Sequence, residues 1–390
     1  MSVAEAELIT DVAALAALAA EWDEVAVAAA LPQMSPAWVL AWWRHLAPTD
    51  AEPRTIAVRD RGELIGVAPF YVRAGARGRV DYRLPGIELT ARLAPVARPD
   101  REWDVAAAIA GAFREAEPRP DLVALEGAPL ASPWPTALRE RWPGVVRPIV
   151  RRYTLHHCPV VELDLPSFED WFARRSPNFR RRLRVVRRNF LAAGGTVRFA
   201  TAPTLRADVD TLMRLHAARW STLSETIGTS NLVARADRMP AFLHAVGEQL
   251  ADAGRFRLVV LEIDGEPISA HLAVAAGGEV LAVNGGWDER WARLSPTVHC
   301  VQTLIEDGFA RGDRRIDLGL GAQAYKLRFA DGDSPVAWMV VLAPGPRLAL
   351  TGARTAPMLA RYAGRDAIKR ALGPDRLRRA RDLRRRLRVP

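Results

Sequence analysis

The sequence predicts an α/β protein built from two related units, each around a mixed, mostly antiparallel sheet. Three observations carry that expectation. At 390 residues the chain exceeds what one ordinary hydrophobic core organises. Its 49% hydrophobic and 26% charged residues are globular proportions. One order of elements, a Trp-rich helix, a hairpin, a helix and a strand, occurs twice along the chain.

In the first occurrence, PAWVLAWWRHL (Pro36–Leu46) has helical spacing and three tryptophans. RTIAVRDRGELIGVAPFYVR (Arg54–Arg73) follows, two alternating strands joined at Asp-x-Gly-Glu, the chemistry of a tight hairpin turn. A further helix leads to the strand DLVALEG (Asp121–Gly127). Pro and Trp then break the pattern over Ser132–Arg152, which puts the boundary there. The expected organisation is a first domain over 1–150, a second over 151–345 and a basic helical tail over 346–390.

The second occurrence holds more chemistry. RRSPNFRRRLRVVRRNF (Arg174–Phe190) starts a helix at Ser176–Pro177, with Phe179, Leu183, Val186 and Phe190 as its apolar stripe and arginine elsewhere. That face suits a phosphate-bearing ligand, lipid head groups or RNA, or is simply solvated. LMRLHAARWSTL (Leu212–Leu223) sets His216 and Trp220 four apart on one helix, neighbours that line an acceptor pocket or pack on a sheet. FRLVVLEIDGEPISAHLAVA (Phe256–Ala275) is the second hairpin, with His271 read as a buried, hydrogen-bonded ring. After it come Asn284, Gly285, Gly286, Trp287 and Asp288, where the glycines mark either a bulge that opens the sheet or an ordinary turn. Ser295 and Pro296 begin a helix whose buried face is Val301, Leu304, Ile305 and Gly308, and Gly312 ends it. A strand then runs into DLGLGAQAYKLRF (Asp317–Phe329). Lys326 in that run is one of only two lysines in the chain, the other being Lys369, among 55 Lys plus Arg.

LHAARW, RFRLVVLEIDGEPISAHLAV, GGWDERWARLSP and DLGLGAQAYKLRF together resemble the GNAT acyltransferases, in their CelD-like, cellulose-biosynthesis-type group. The resemblance extends over about Val160–Pro344 and more weakly over the first unit, so it implies two tandem GNAT-like domains. Paired halves of this kind also resemble the Fem-type ligases, which move amino acids from tRNA onto peptidoglycan precursors. The implied reaction is transfer of an acetyl or other acyl group from acyl-CoA, with no metal, to an amine or hydroxyl of a small molecule or cell-envelope saccharide. Tyr325 would protonate the leaving group, Lys326 would polarise a carbonyl or hold a phosphate, and His216 would be the base. Asn284, Gly285, Gly286, Arg293, Ser295, Thr297 and Val298 would hold the donor. Trp220, Trp287, Asp288, Gln323 and Arg328 would meet the acceptor. The usual pyrophosphate loop, Q/R-x-x-G-x-G/A, is replaced by Arg293-Leu-Ser-Pro-Thr-Val, which has no glycine to let a phosphate approach the backbone. Two alternatives stay open, aminoacyl transfer from tRNA and a catalytically degenerate GNAT scaffold that binds a partner.

Charge and cysteine narrow the remaining classes. Net charge is +10, but Thr351–Pro390 alone holds 13 basic and 3 acidic residues, so the preceding body balances to zero. A nucleic-acid partner other than tRNA is therefore not expected of the folded body. Leu377, Leu383 and Leu387 among the arginines of Arg376–Arg388 suit peripheral contact with an anionic membrane. Cys158 and Cys300 are too few and too far apart for a disulfide framework or a zinc site. The start, MSVAEAELITD, has no basic region of a secretory signal, and no apolar run reaches the ~18 residues of a membrane span. The expected location is cytoplasmic, at most peripheral to the inner membrane face.

Overall fold

A computed structural model of the chain describes residues 4–74, 78–90, 92–227, 235–365 and 367. Strands β1 (Glu5–Ile9), β2 (Glu52–Asp60), β3 (Glu63–Ala74), β4 (Val80–Arg83), β5 (Val96–Ala97), β6 (Leu122–Pro129) and β7 (Ile149–His156) belong to a first sheet. A second sheet holds β8 (Pro159–Glu162), β9 (Gly195–Phe199), β10 (Phe256–Ile263), β11 (Glu266–Ala276), β12 (Glu279–Trp287), β13 (Arg315–Asp317) and β14 (Gly332–Asp333). The last strand, β15 (Val336–Leu342), returns to the first sheet and lies between β6 and β7.

Both expected hairpins form. Arg61–Gly62 (φ 51° and 86°) and Asp264–Gly265 (φ 51° and 80°) each put two successive residues at positive φ, the backbone of a two-residue turn that matches strand twist. In each sheet one parallel pair, β4 with β6 and β12 with β13, interrupts an otherwise antiparallel order.

The expected boundary at residue 150 needs correction, because it falls inside β7. β7 and β8 follow one another along one side of a ribbon, and β14 and β15 return along the other: Gly332 pairs with Val160 in the second sheet, and Val336 with His156 in the first. Alternation of apolar residues identifies a strand but not the sheet that receives it. A single cut there does not separate the lobes.

Helices α1 (Val12–Ala17) and α2 (Ala19–Ala28) precede the Trp-rich α3 (Pro36–His45), and α4 (Glu102–Glu115) and α5 (Trp134–Arg141) complete the first lobe. The second lobe has α6 (Phe168–Arg174), α7 (Pro177–Ala192), α8 (Leu205–Ile227), α9 (Met239–Leu250), α10 (Pro296–Arg311) and α11 (Ala324–Phe329). The two faces of the second sheet feed different cores. Val259 and Leu261 join Leu183, Phe190, Val301 and Leu304 under α7 and α10. Leu258 and Val260 join residues of α8 and α9. That second core also takes Trp38, Trp42, Tyr71 and Leu89 from the first lobe, with Trp38 edge-on to Phe242 at 5.0 Å. Each fully buried tryptophan removes ~150–250 Å² from water, about 4–6 kcal/mol of transfer free energy.

Residues 348–365 form a helix whose Leu348, Met358, Leu359 and Tyr362 pack against Leu122, Tyr153, Val340 and Leu342 of the first sheet. The basic stretch Arg376–Arg388 lies outside the described residues. Among the described residues no helix is long and apolar enough to cross a membrane.

Candidate active site in the second lobe

β12 pairs with β11 along its whole length, with one extra residue, Val283, between the partners of Ala273 and Leu272. On its other side it pairs with β13 only over Glu279–Leu281. From Ala282 to Trp287, among the described residues, no strand pairs with that second edge. An opening between parallel strands, beside backbone groups not used in the ladder, is where a ligand carbonyl can approach. The glycines beside it are not the bulge itself. A Cβ on Gly286 would collide with the backbone at Leu215–His216, and a Cβ on Gly285 would collide with the His271 ring. They let α8 and an imidazole lie directly on the strand.

Around this opening His216 and Arg219 of α8, His271 of β11, and Tyr325 and Lys326 of α11 are close enough to influence one another's charge, with the α8 backbone against one face of β12 and the His271 ring against the other. His216 is fully buried, and its Nδ1 lies 3.1 Å from the Gly285 carbonyl oxygen. A carbonyl only accepts, so Nδ1 carries the proton of the neutral ring and Nε2 the lone pair. Burial holds the His216 pKa below the ordinary value. His271 is pushed down to about 4, mainly by burial and then by the charges of Lys326 and Arg219. Burial raises the Tyr325 phenol, with Arg219 opposing. Arg219 is half-buried over the Trp287 ring at 5.5 Å; burial lowers its pKa, and Tyr325 and the Glu289 carboxylate oppose that shift. Trp287 Nε1 is buried without a hydrogen-bond partner among the described residues. An acid that stays protonated, a partly desolvated guanidinium and a neutral imidazole thus surround one gap.

Lys326 answers why a lysine stands here. It is 7% exposed, and its ammonium donates to the carbonyls of Leu320 at 2.8 Å and Gly319 at 3.2 Å. Burial lowers its pKa to about 8, and Asp317 works against that shift. Asp317 Oδ1 in turn accepts from the Gly319 N–H at 2.7 Å. The ammonium is committed to protein carbonyls, so Lys326 holds the glycine-rich turn, whereas an arginine fork is too wide for the same place.

A second, charged region lies at the start of α10. Ser295 occupies its N-cap position at φ 52°, the left-handed backbone that glycine adopts without cost, and its side chain makes no cap bond. The missing glycine is thus replaced by a serine held in the conformation a glycine would take. Arg293 and Ser295, with Asn178, Arg181, Arg182, Val185, Val186 and Asn189 of α7, line a cavity of about 500 Å³. Thr297 is half-buried and Val298 is buried in the core beneath. Pro296 has no N–H, and Val298 and His299 donate theirs to the Ser295 carbonyl, so it is the three arginines and the positive end of the helix that fit an anionic group such as a phosphate.

Other candidates do not converge. Asp288 caps the turn after β12 and is paired with Arg290 at 2.6 Å. Gln323, at the N-cap of α11, and Arg328, on that helix, are both exposed. Asn284 Oδ1 accepts from the Gly285 N–H beside it. Trp220 lies on α8 with its side chain outside the described residues. Arg219 was missed, although it stands one turn from His216, and so was Arg92, which no local pattern connects to Asp317.

Residues 177–327 match the family described as the Acetyltransferase (GNAT) domain, a span of less than half the chain. No curated protein matches the sequence. Among solved structures the chain is similar to FemX, at 12% identity and a TM-score of 0.59, over 87% of this chain and 97% of that one. It is also similar to the C-terminal domain (DUF2156) of a putative lysylphosphatidylglycerol synthetase from Agrobacterium fabrum, at 12% identity and a TM-score of 0.51, over 87% and 97%. A conserved protein of unknown function from Bacteroides thetaiotaomicron is similar at 12% identity and a TM-score of 0.51, over 86% and 99%. At such identities the likeness is one of fold. The chain folds as two tandem GNAT-like units with mixed, mostly antiparallel sheets, and the GNAT domain match falls on the second.

Proposed function

We propose that the second lobe is an acyltransferase of the CelD-like kind, moving an acyl group from acyl-CoA to an amine or hydroxyl of a small molecule or cell-envelope saccharide. One observation carries the reading: β12 parts from β13 after Leu281, and Tyr325, Arg219 and His216 gather over the gap. The acceptor attacks the thioester carbonyl and its proton passes to His216. Backbone N–H groups of β12, with Arg219, stabilise the oxyanion. The C–S bond then breaks, and Tyr325 gives its proton to the departing thiolate. The donor's phosphates would lie against Arg181, Arg182, Arg293 and the start of α10.

A second reading, aminoacyl transfer from tRNA, is favoured by two features. The exposed arginines of α7 (Arg181, Arg182, Arg184, Arg187 and Arg188) continue past that cavity, and the likeness to FemX extends over both lobes. Titration calorimetry with acetyl-CoA and with an aminoacyl-tRNA separates the two. Saturable binding of acetyl-CoA supports the first reading, and binding of the tRNA alone supports the second. Binding of neither leaves a partner-binding scaffold.

A further inference from the structure

We propose that Arg92, on the first lobe, is a positioning residue for the Tyr325–Lys326 segment of the second, acting through Asp317. The inference rests on the acyl-transfer reading only for what the segment does, not for how it is held. Arg92 is 6% exposed and Asp317 2%. The guanidinium donates to Asp317 Oδ2 from Nε at 2.9 Å and from Nη2 at 2.6 Å, and Nη2 also donates to the Ser334 carbonyl at 2.9 Å. The other carboxylate oxygen takes the Gly319 N–H, and the Gly319 and Leu320 carbonyls take Lys326. An unbroken chain of hydrogen bonds therefore runs from one lobe through a buried carboxylate and the glycine turn to the helix that presents Tyr325.

The first lobe fixes its own end. Leu93 N–H donates to the Gly127 carbonyl at 3.0 Å, which ties the loop carrying Arg92 to β6. A buried carboxylate is retained only with its partners in place, and removing one leaves an uncompensated charge. Asp317 has partners from both lobes, so the turn takes its shape only when the first lobe is docked. Ionisable groups around Lys326 are Asp317 at the end of β13, Arg92 from the first lobe, Cys158 and Asp333 of the connecting ribbon, and His271 of β11.

The chain's composition provides a clean test. With ¹⁵N-lysine labelling only Lys326 and Lys369 give side-chain signals. In Arg92→Gln, Asp317 loses its guanidinium partner and attracts the ammonium more strongly, so the Lys326 titration moves up from about 8. In Asp317→Asn it moves down. Both variants are expected to lower kcat by roughly 10–100-fold with donor KM within about twofold, since misplacement rather than binding is affected. A Lys326 titration that moves in neither folded variant overturns the proposal. If neither variant folds, hydrogen exchange of wild-type Gly319 decides: a slow amide supports the chain of bonds, and a freely exchanging one ends it. The lysine signals need no turnover, so an enzyme inactive with every donor would count against acyl transfer alone.

Discussion

Tyr325 and Lys326 stand side by side and do different things. Tyr325 lies within reach of the Arg219 charge with a phenol whose pKa burial raises, so if it is the acid proposed above, Tyr325→Phe should lower kcat by roughly 10²-fold and leave donor binding near wild type in steady-state kinetics. Lys326 was conspicuous because arginine serves for nearly every other cation, yet composition gave no hint that two backbone carbonyls consume its ammonium. Lys326→Arg should overpack that pocket, costing roughly 1–3 kcal/mol in urea denaturation and some of the activity; wild-type stability and turnover would contradict the clamp. His271 makes a separate prediction. Its folded pKa, about 4, lies below its unfolded value of 6.5, so folding favours the neutral ring. The stability it contributes, at most about 3 kcal/mol, is fully present above about pH 6.5 and is lost as pH falls towards 4. His271→Gln should flatten stability between pH 4.5 and 6.5; an unchanged acid limb would show that another group controls it.

At the scale of elements, the parts governed by local chemistry were legible. Asp-Gly and Arg-Gly at the hairpin tips, Ser176–Pro177 at the start of α7 and Gly312 at the end of α10 (φ 72°) each follow from backbone preference, and each stands where its residues place it. What could not be read were contacts between elements. Gly285 and Gly286 read as either a bulge or an ordinary turn, but their missing Cβ atoms are what let His271 and α8 touch β12, which depends on a helix some 70 residues away. The start of α10 shows the converse. Its loop lacks glycine in sequence, yet Ser295 adopts glycine's backbone and carries the strain that an L side chain has there. Ser295→Gly should therefore stabilise the protein by roughly 0.5–1 kcal/mol in thermal or urea unfolding, and should tighten acetyl-CoA if its phosphates lie on that turn. Destabilisation on this substitution would mean that the serine side chain has a role the backbone argument omits.

The whole molecule is less divisible than its repeated pattern suggests. A doubling of elements invites the picture of two domains that fold alone, but three features couple them. A ribbon made of β7–β8 and β14–β15 belongs to both sheets. The core under α8 and α9 is completed by Trp38, Trp42, Tyr71 and Leu89 of the first lobe. Ion pairs join Arg92 to Asp317 and Arg255 to Asp23 across the interface. A fragment from Val160 to Pro344 would keep the residues of the candidate site but lose β7 and all four of those aromatic and aliphatic partners. It would also leave Asp317 buried beside a lysine with no guanidinium, and its strand β15 with no sheet to join. Removing even one fully buried tryptophan side chain costs roughly 3–5 kcal/mol, comparable to a large part of a domain's total stability. The fragment is therefore expected to show no cooperative thermal unfolding by circular dichroism and no transferase activity. Adding back residues 1–158 in trans should restore little, since the ribbon has to thread both sheets. A fragment that melts cooperatively and turns over at the full-length rate would show that the first lobe is dispensable to the site.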